Sequence, residues 1–225
     1  MLGPTIADLL PAAVAVALSP IPIVAIVVVL GTRRGRINGV VFALGWVVGL
    51  VVVSAVVVGL LGGADRADSG PATAASVGQA VLGLLLLVLA ARKWRSRPQG
   101  DAEPEMPAWM DSVEHLQPLR ALALGLALSG LNPKNLALTA AAAASIAQAG
   151  LDGTDTVLAI AVFVVVGSLT VAGAVVAALV APRATQAPLA SIKSFMSRHN
   201  AVIMMVILLI FGVKLLSEGV AALLG

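Results

Sequence analysis

Cysteine and tyrosine are absent from this 225-residue chain, aromatic residues contribute 3 % and charged residues 11 %. Without cysteine there is no disulfide scaffold, no thiol redox chemistry and no thiolate metal site. Histidine occurs twice, as His115 and His199, both in connections, and Glu218 is the acidic residue set deepest in a late apolar run. That supply of imidazole and oxygen ligands is too thin for a metal site inside the apolar segments, and no cofactor is expected. No apolar segment holds the nucleophile and neighbouring base that a hydrolase or transferase needs, so an enzyme is not expected. No Walker sequence is present, so ATP hydrolysis by this chain is not expected either. The net charge of +3 and pI near 10.0 come without an arginine-rich tract interleaved with aromatics. Nucleic acid is therefore not an expected partner.

What the chain does have is apolar length. Hydrophobic residues make up 60 % and mean hydropathy is +1.05, far outside soluble usage. A hydrocarbon core of about 30 Å needs roughly 20 apolar residues per helix. On that rule six spans are expected: Thr5–Leu30, Asn38–Leu61, Thr73–Ala91, Leu119–Ala149, Thr156–Val180 and Asn200–Leu224. The fold class is an all-α integral membrane protein, with residues 1–225 forming one transmembrane domain. The N-terminus lacks a basic leader region and its apolar run is too long for a cleaved signal, so the first span is expected to stay in the mature protein.

The basic residues orient these spans. Arg33, Arg34 and Arg36 follow span 1. Arg92, Lys93, Arg95, Arg97 and Arg120 flank the connection after span 3, and Arg183, Lys193 and Arg198 lie between spans 5 and 6. The opposite side receives Arg66 alone. Basic residues stay cytoplasmic, so both termini are expected outside. Lys134 and Lys214 fall within spans, where a charge is costly and normally faces a cavity or a partner. Lys214 has Glu218 four residues on, the spacing of an ion pair on one helix face. Lys134 is expected to face a cavity.

Two spans are interrupted. The first reads Ala17-Leu18-Ser19-Pro20-Ile21-Pro22-Ile23, the fourth Leu128-Ser129-Gly130-Leu131-Asn132-Pro133-Lys134-Asn135. Broken helices at corresponding places in two halves point to a transporter's binding site. Aligning Ser19-Pro20 with Asn132-Pro133, an offset of 113, brings Gly49 near Gly167 after a small insertion. Ala80-Val81 then matches Ala201-Val202, and Lys93 matches Lys214. Three spans per half force opposite orientations, so the expected architecture is two inverted three-helix repeats with broken helices 1 and 4. The first repeat is 1–95, the cytoplasmic connection 92–118, and the second repeat 119–225. Ser19 and Asn132 are placed to act as N-caps, and Pro20 and Pro133 suit the first helical position. Two helix N-termini with free N–H groups would then meet near mid-membrane, an arrangement that favours an anion. The candidate substrate-binding residues are Ser19, Pro20, Pro22, Asn132, Pro133, Lys134 and Asn135.

At these residues the chain resembles the lysine-exporter superfamily and, within it, the GAP family of glycolipid- and sulfolipid-addressing proteins. The likeness covers essentially the whole chain, and Asn132-Pro133-Lys134-Asn135 after Leu-Ser-Gly is its more specific element. The resemblance implies movement of a complex envelope lipid, or its precursor, across a bacterial plasma membrane. The absence of cysteine separates the chain from the superfamily's thiol-redox branch.

A secondary transporter or flippase for an anionic lipid or lipid precursor is thus the leading expectation, worked by rocking of the two halves. Two alternatives stay open: an exporter of amino acids or small metabolites, and a non-transporting adapter for lipid-export machinery. Lys214, Glu218 and Asp8 are the titratable candidates for coupling or pairing, Asp8 more simply as an interfacial cap. Membrane lipids are the expected partners. Gly45-x-x-x-Gly49 permits close helix approach, within the monomer or across a homodimer seam. Trp94 and Trp109 fit interfacial belts, with a short surface helix around Trp109, Val113 and Leu116. Leu189, Ile192, Phe195 and His199 predict an interfacial helix ahead of span 6. Ser145 and Gln148, after the alanine run 140–144, are candidates for an exit path.

Overall fold

The computed structural model describes residues 2–64, 71–95 and 116–224, without the side chains of 62–64 and 71–75. The expected surface helix around Trp109 and Val113, and the loop bearing Arg66, lie outside the described residues. Those residues form eight helices and no strand: α1 (Leu2–Ala17), α2 (Pro20–Leu30), α3 (Gly35–Ala64), α4 (Pro71–Arg95), α5 (Pro118–Gly130), α6 (Pro133–Gln148), α7 (Gly153–Val180) and α8 (Pro182–Leu224). The number exceeds six because each Pro-bearing interruption ends one helix and starts another. A proline cannot donate to the carbonyl four residues back, and it pushes the preceding residue out of the helical region. Ser19 and Asn132 accordingly take extended backbones, with φ/ψ of −67/115° and −68/118°. α3, α4, α7 and α8 are each long and apolar enough to cross a bilayer, and α1 with α2, bent by 50° at the break, meets the same measure only as a pair, the pattern of a broken span or a re-entrant loop.

The end of the chain differs from expectation. No boundary falls near Asn200: the predicted surface helix and span 6 are one helix, α8, of 43 residues. At 1.5 Å per residue it is about 65 Å long, roughly twice a hydrocarbon core. Between Ser191 and Asn200 no glycine or proline interrupts the backbone ladder, so nothing stops the helix.

Glycines set how the helices pair. α5 lies along α3 in the same direction. Gly45 faces the Leu122 carbonyl, Gly49 faces Ser129 and Leu126, and Gly125 faces the backbone of Phe42 and Trp46. A Cβ at Gly45 or Gly125 would collide with backbone atoms, so these seams exist only because no side chain is there. Gly45-x-x-x-Gly49 is therefore a seam within the chain. α7 lies along α1 through Gly167, which rests against Ala13 and Val16. α4 and α8 run antiparallel, Gly83 against Leu216, Gly212 against Leu87 and Gly219 against Ala80. Trp46, Phe42, Phe163, Leu50 and Leu138 fill the centre and are fully buried. The outward faces of the long helices carry exposed Leu60, Val165 and Ile210, as a lipid-facing surface requires.

Candidate functional site at the two helix breaks

A helix end leaves its last carbonyls without intrahelical partners, and in an apolar surrounding each needs another donor. At the end of α1 the chain itself supplies two: Leu18 N–H donates to Val14 O at 2.9 Å and Ser19 N–H to Val16 O at 3.1 Å. The other two are met from the far half of the sequence. Lys134 Nζ donates to Ala15 O at 2.7 Å, and Thr170 Oγ1 donates to Ala17 O at 2.6 Å. The end of α5 is treated alike, with Asn135 Nδ2 donating to Leu128 O at 2.9 Å.

The two breaks also bond to each other. Lys134 Nζ donates to Ser19 Oγ at 2.7 Å, and that hydroxyl donates to Asn135 Oδ1 at 2.7 Å. Ser19, Lys134 and Asn135 are buried to within 2 % of complete. Ser19 thus occupies the N-cap position of α2 without capping it through its side chain. Pro22 at the third helical position has no N–H to offer, and the hydroxyl is turned to Lys134 and Asn135 rather than to the Ile21 N–H. Asn132 does cap its own helix, accepting from Lys134 N–H at 3.2 Å.

This geometry corrects the picture of two open N-termini aimed at an anion. Pro20 and Pro22 remove two donors from the first turn of α2, leaving the Ile21 N–H. Pro133 removes one from α6, and Asn132 occupies another. Asn135, expected to offer donors to a substrate, bonds to the Leu128 carbonyl instead. The side chains at the breaks are in the first place braces between the halves of the chain.

One wall of this brace faces a cavity of about 640 Å³. Asn132, Pro133 and Lys134 line it from the break, Ile21 from α2, Ala127, Leu128 and Leu131 from α5, Leu89, Arg92 and Lys93 from α4, and Met204 and Leu208 from α8. Its lining is largely aliphatic and, among the described residues, carries no acidic group. Lys134 contributes to the cavity lining while its ammonium is turned into the brace, and Ser19, Pro20, Pro22 and Asn135 stand behind it in the core. Arg92 and Lys93, read from sequence as marking the cytoplasmic connection after span 3, line the cavity.

The remaining candidates lie apart from it. Lys214 and Glu218 pair at 3.6 Å on a half-exposed face of α8. Asp8 is exposed inside α1 rather than at its start, so it does not cap the helix. Ser145 donates to Ala141 O at 3.2 Å in its own helix. His199 stacks on Phe195 with ring centroids 4.4 Å apart. Two positioning residues escaped the sequence reading. Thr170 caps α1, and Asn38, fully buried, donates to Leu116 O at 2.8 Å, tying the start of α3 to that of α5. Their signal was modest: single amide or hydroxyl side chains in or beside long apolar runs.

The family model of Sap, the sulfolipid-1-addressing protein, matches residues 9–221. The chain belongs to the sulfolipid-1-addressing family. No curated protein and no solved structure matches it. The match contains both breaks, the cavity and the glycine seams, so the braced site lies wholly within the family region. The residues of this sulfolipid-1-addressing family member form a multi-pass bundle of apolar helices, and its name attaches that bundle to lipid addressing.

Proposed function

We propose that this family member moves an anionic glycolipid or its precursor across the bacterial plasma membrane, as a secondary transporter or flippase. The observation that carries the reading is the aliphatic cavity at the broken helices, with Lys134, Arg92 and Lys93 on its wall. An acyl chain suits its lining, and a sulfate or carboxylate head group suits its cations. Its volume lies in the range of small-molecule sites. The Lys134 ammonium is turned into the brace, on Ala15 O and Ser19 Oγ, so Arg92 and Lys93 are the cations offered to an anionic head group. An amino-acid substrate would also need an acidic partner for its amino group, and among the described residues none lines the cavity.

Transport would use six spans in two inverted repeats, with α1–α2 and α5–α6 as the broken spans. The paired contacts support this. Gly49 packs on Leu126 and Ser129, and Gly167 on Ala13 and Val16. Ala13 and Leu126, like Val16 and Ser129, differ by the 113 residues that separate Ser19 from Asn132. The braced carbonyls of Ala15 and Leu128 differ by the same offset. The positive-inside rule supports external termini.

The mutual bonding of the breaks favours one further reading, a rigid adapter that holds lipid-export machinery without transporting. Reconstituted vesicles separate the two. The purified chain, with a head-group-labelled sulfated glycolipid in one leaflet, is expected to accelerate its exchange over protein-free vesicles, and Arg92→Gln with Lys93→Gln to slow it about tenfold. Equal rates in wild type, variant and empty vesicles would refute transport and leave the adapter.

A further inference from the structure

At the end of the bundle where α2 meets α3, a second crevice of about 990 Å³ is built from parts far apart in sequence. Arg33, Arg34 and Arg36 line it from the α2–α3 turn and the start of α3, and Lys193 lines it from the first half of α8. Val27 and Leu189 are among the apolar side chains of its walls. Among the described residues no acidic side chain lines it, so four positive charges share one concavity without internal neutralisation.

The turn that presents the arginines is fixed rather than loose. Thr32 Oγ1 donates to Val29 O at 2.8 Å, and Gly35 N–H donates to Thr32 O at 2.9 Å. A Cβ at Gly35 would run into the Leu30 carbonyl, so the tight return from α2 to α3 depends on glycine there. Asn38 holds the start of α3 from beneath by its bond to Leu116 O.

We propose that this crevice is a second lipid site, which binds the anionic head group of a lipid and one of its acyl chains apart from the cavity at the breaks. The head-group chemistry follows from the charge. Guanidinium groups match the planar oxygen pairs of sulfate, phosphate or carboxylate, and Lys193 adds a point charge from the opposite wall. The lipid character follows from Val27 on α2 and Leu189 on α8, which give the crevice an aliphatic wall beside its basic rim. A soluble anion would leave that wall uncovered. Basic residues at a membrane face also attract anionic lipid in general, but Arg183 and Arg198 lie outside the crevice lining and serve as the control for that effect.

The proposal is independent of transport and predicts a count. Native mass spectrometry of the detergent-purified full chain with sulfatide, a sulfated glycolipid, is expected to show two bound lipids, and with uncharged galactosylceramide fewer. R33Q/R34Q/R36Q/K193Q is expected to lose one lipid, and R92Q/K93Q to lose the other. R183Q/R198Q is expected to keep both. K193E, which leaves the three orienting arginines in place, is expected to lose the same lipid as the fourfold variant, with an unchanged melting temperature as the check on folding. Two lipids retained in folded K193E, or an equal loss in R183Q/R198Q, would overturn the site. A loss confined to R92Q/K93Q would leave the cavity at the breaks standing and remove this crevice.

Discussion

Replacing Ser19 by Ala and Asn135 by Leu, singly and together, isolates the bond that joins the two halves of the chain. Ser19→Ala takes the donor from Asn135 Oδ1 and an acceptor from Lys134 Nζ. Asn135→Leu takes the acceptor from Ser19 Oγ and the donor from Leu128 O. Each buried group left without a partner costs about 1–3 kcal/mol. Ser19 has a fallback, since its hydroxyl also lies 3.5 Å from Ala15 O, so Asn135→Leu is expected to lose most of its stability through Leu128. The term shared by the two substitutions is the 2.7 Å bond itself. Hydrogen bonds between membrane helices have coupling energies near 0.6 kcal/mol, up to about 1.7 kcal/mol. This one is short and fully enclosed, so the upper half of that range is expected. Equilibrium unfolding in mixed micelles, followed by circular dichroism, gives the four free energies of the cycle. If the single effects add to within about 0.3–0.5 kcal/mol, as independent sites do, the breaks do not brace each other and the reasoning fails.

Three further outcomes are expected. Gly125→Ala drives a Cβ into the Phe42 carbonyl and the Trp46 nitrogen and should cost about 1–3 kcal/mol by overpacking, whereas Gly173→Ala, with nothing within 4 Å, should be neutral or stabilising by up to about 1 kcal/mol. Comparing the two melting temperatures checks this. Thr170→Val keeps the volume but leaves Ala17 O without its donor, and should cost about 1–3 kcal/mol, with Thr170→Ser recovering most of the melting temperature. Lys214→Gln with Glu218→Gln removes a pair that stands off the cavity wall. Lipid exchange in vesicles should be unchanged by it, and a lost response to an imposed proton gradient would instead give this pair a coupling role.

The interruptions were legible because proline acts locally. Ser-Pro and Asn-Pro pair a capping residue with a missing N–H, and α1 and α5 stop at Ala17 and Gly130 just before them, whereas Pro11 and Pro188, without such a cap before them, are carried inside α1 and α8. The end of α8 was not legible in the same way. The amphipathic pattern of Leu189, Ile192, Phe195 and His199 predicted a separate helix on the surface, but periodicity describes faces and not ends. The helix carries Pro188 inside it and meets no glycine or proline between Ser191 and Asn200, so it continues. The role of Asn135 was also out of reach, because its amide has donors and an acceptor, and composition cannot say which neighbours take them.

The sequence by itself determined that the chain lives in a membrane, that it breaks two helices and where, and that its positive charge gathers at particular ends. Hydrophobic length, missing proline N–H groups and the cost of a buried charge act residue by residue, so they can be read in one dimension. Only the tertiary structure decided what the polar residues at the breaks do. It brings Ala15 within 2.7 Å of Lys134 and Ala17 within 2.6 Å of Thr170, and so turns candidate ligands for a substrate into partners for orphaned carbonyls. It also placed Arg92 and Lys93 on one cavity wall and Lys193 beside three distant arginines. A hydrogen bond is made at about 3 Å and not before, and which groups come that close depends on how whole helices pack.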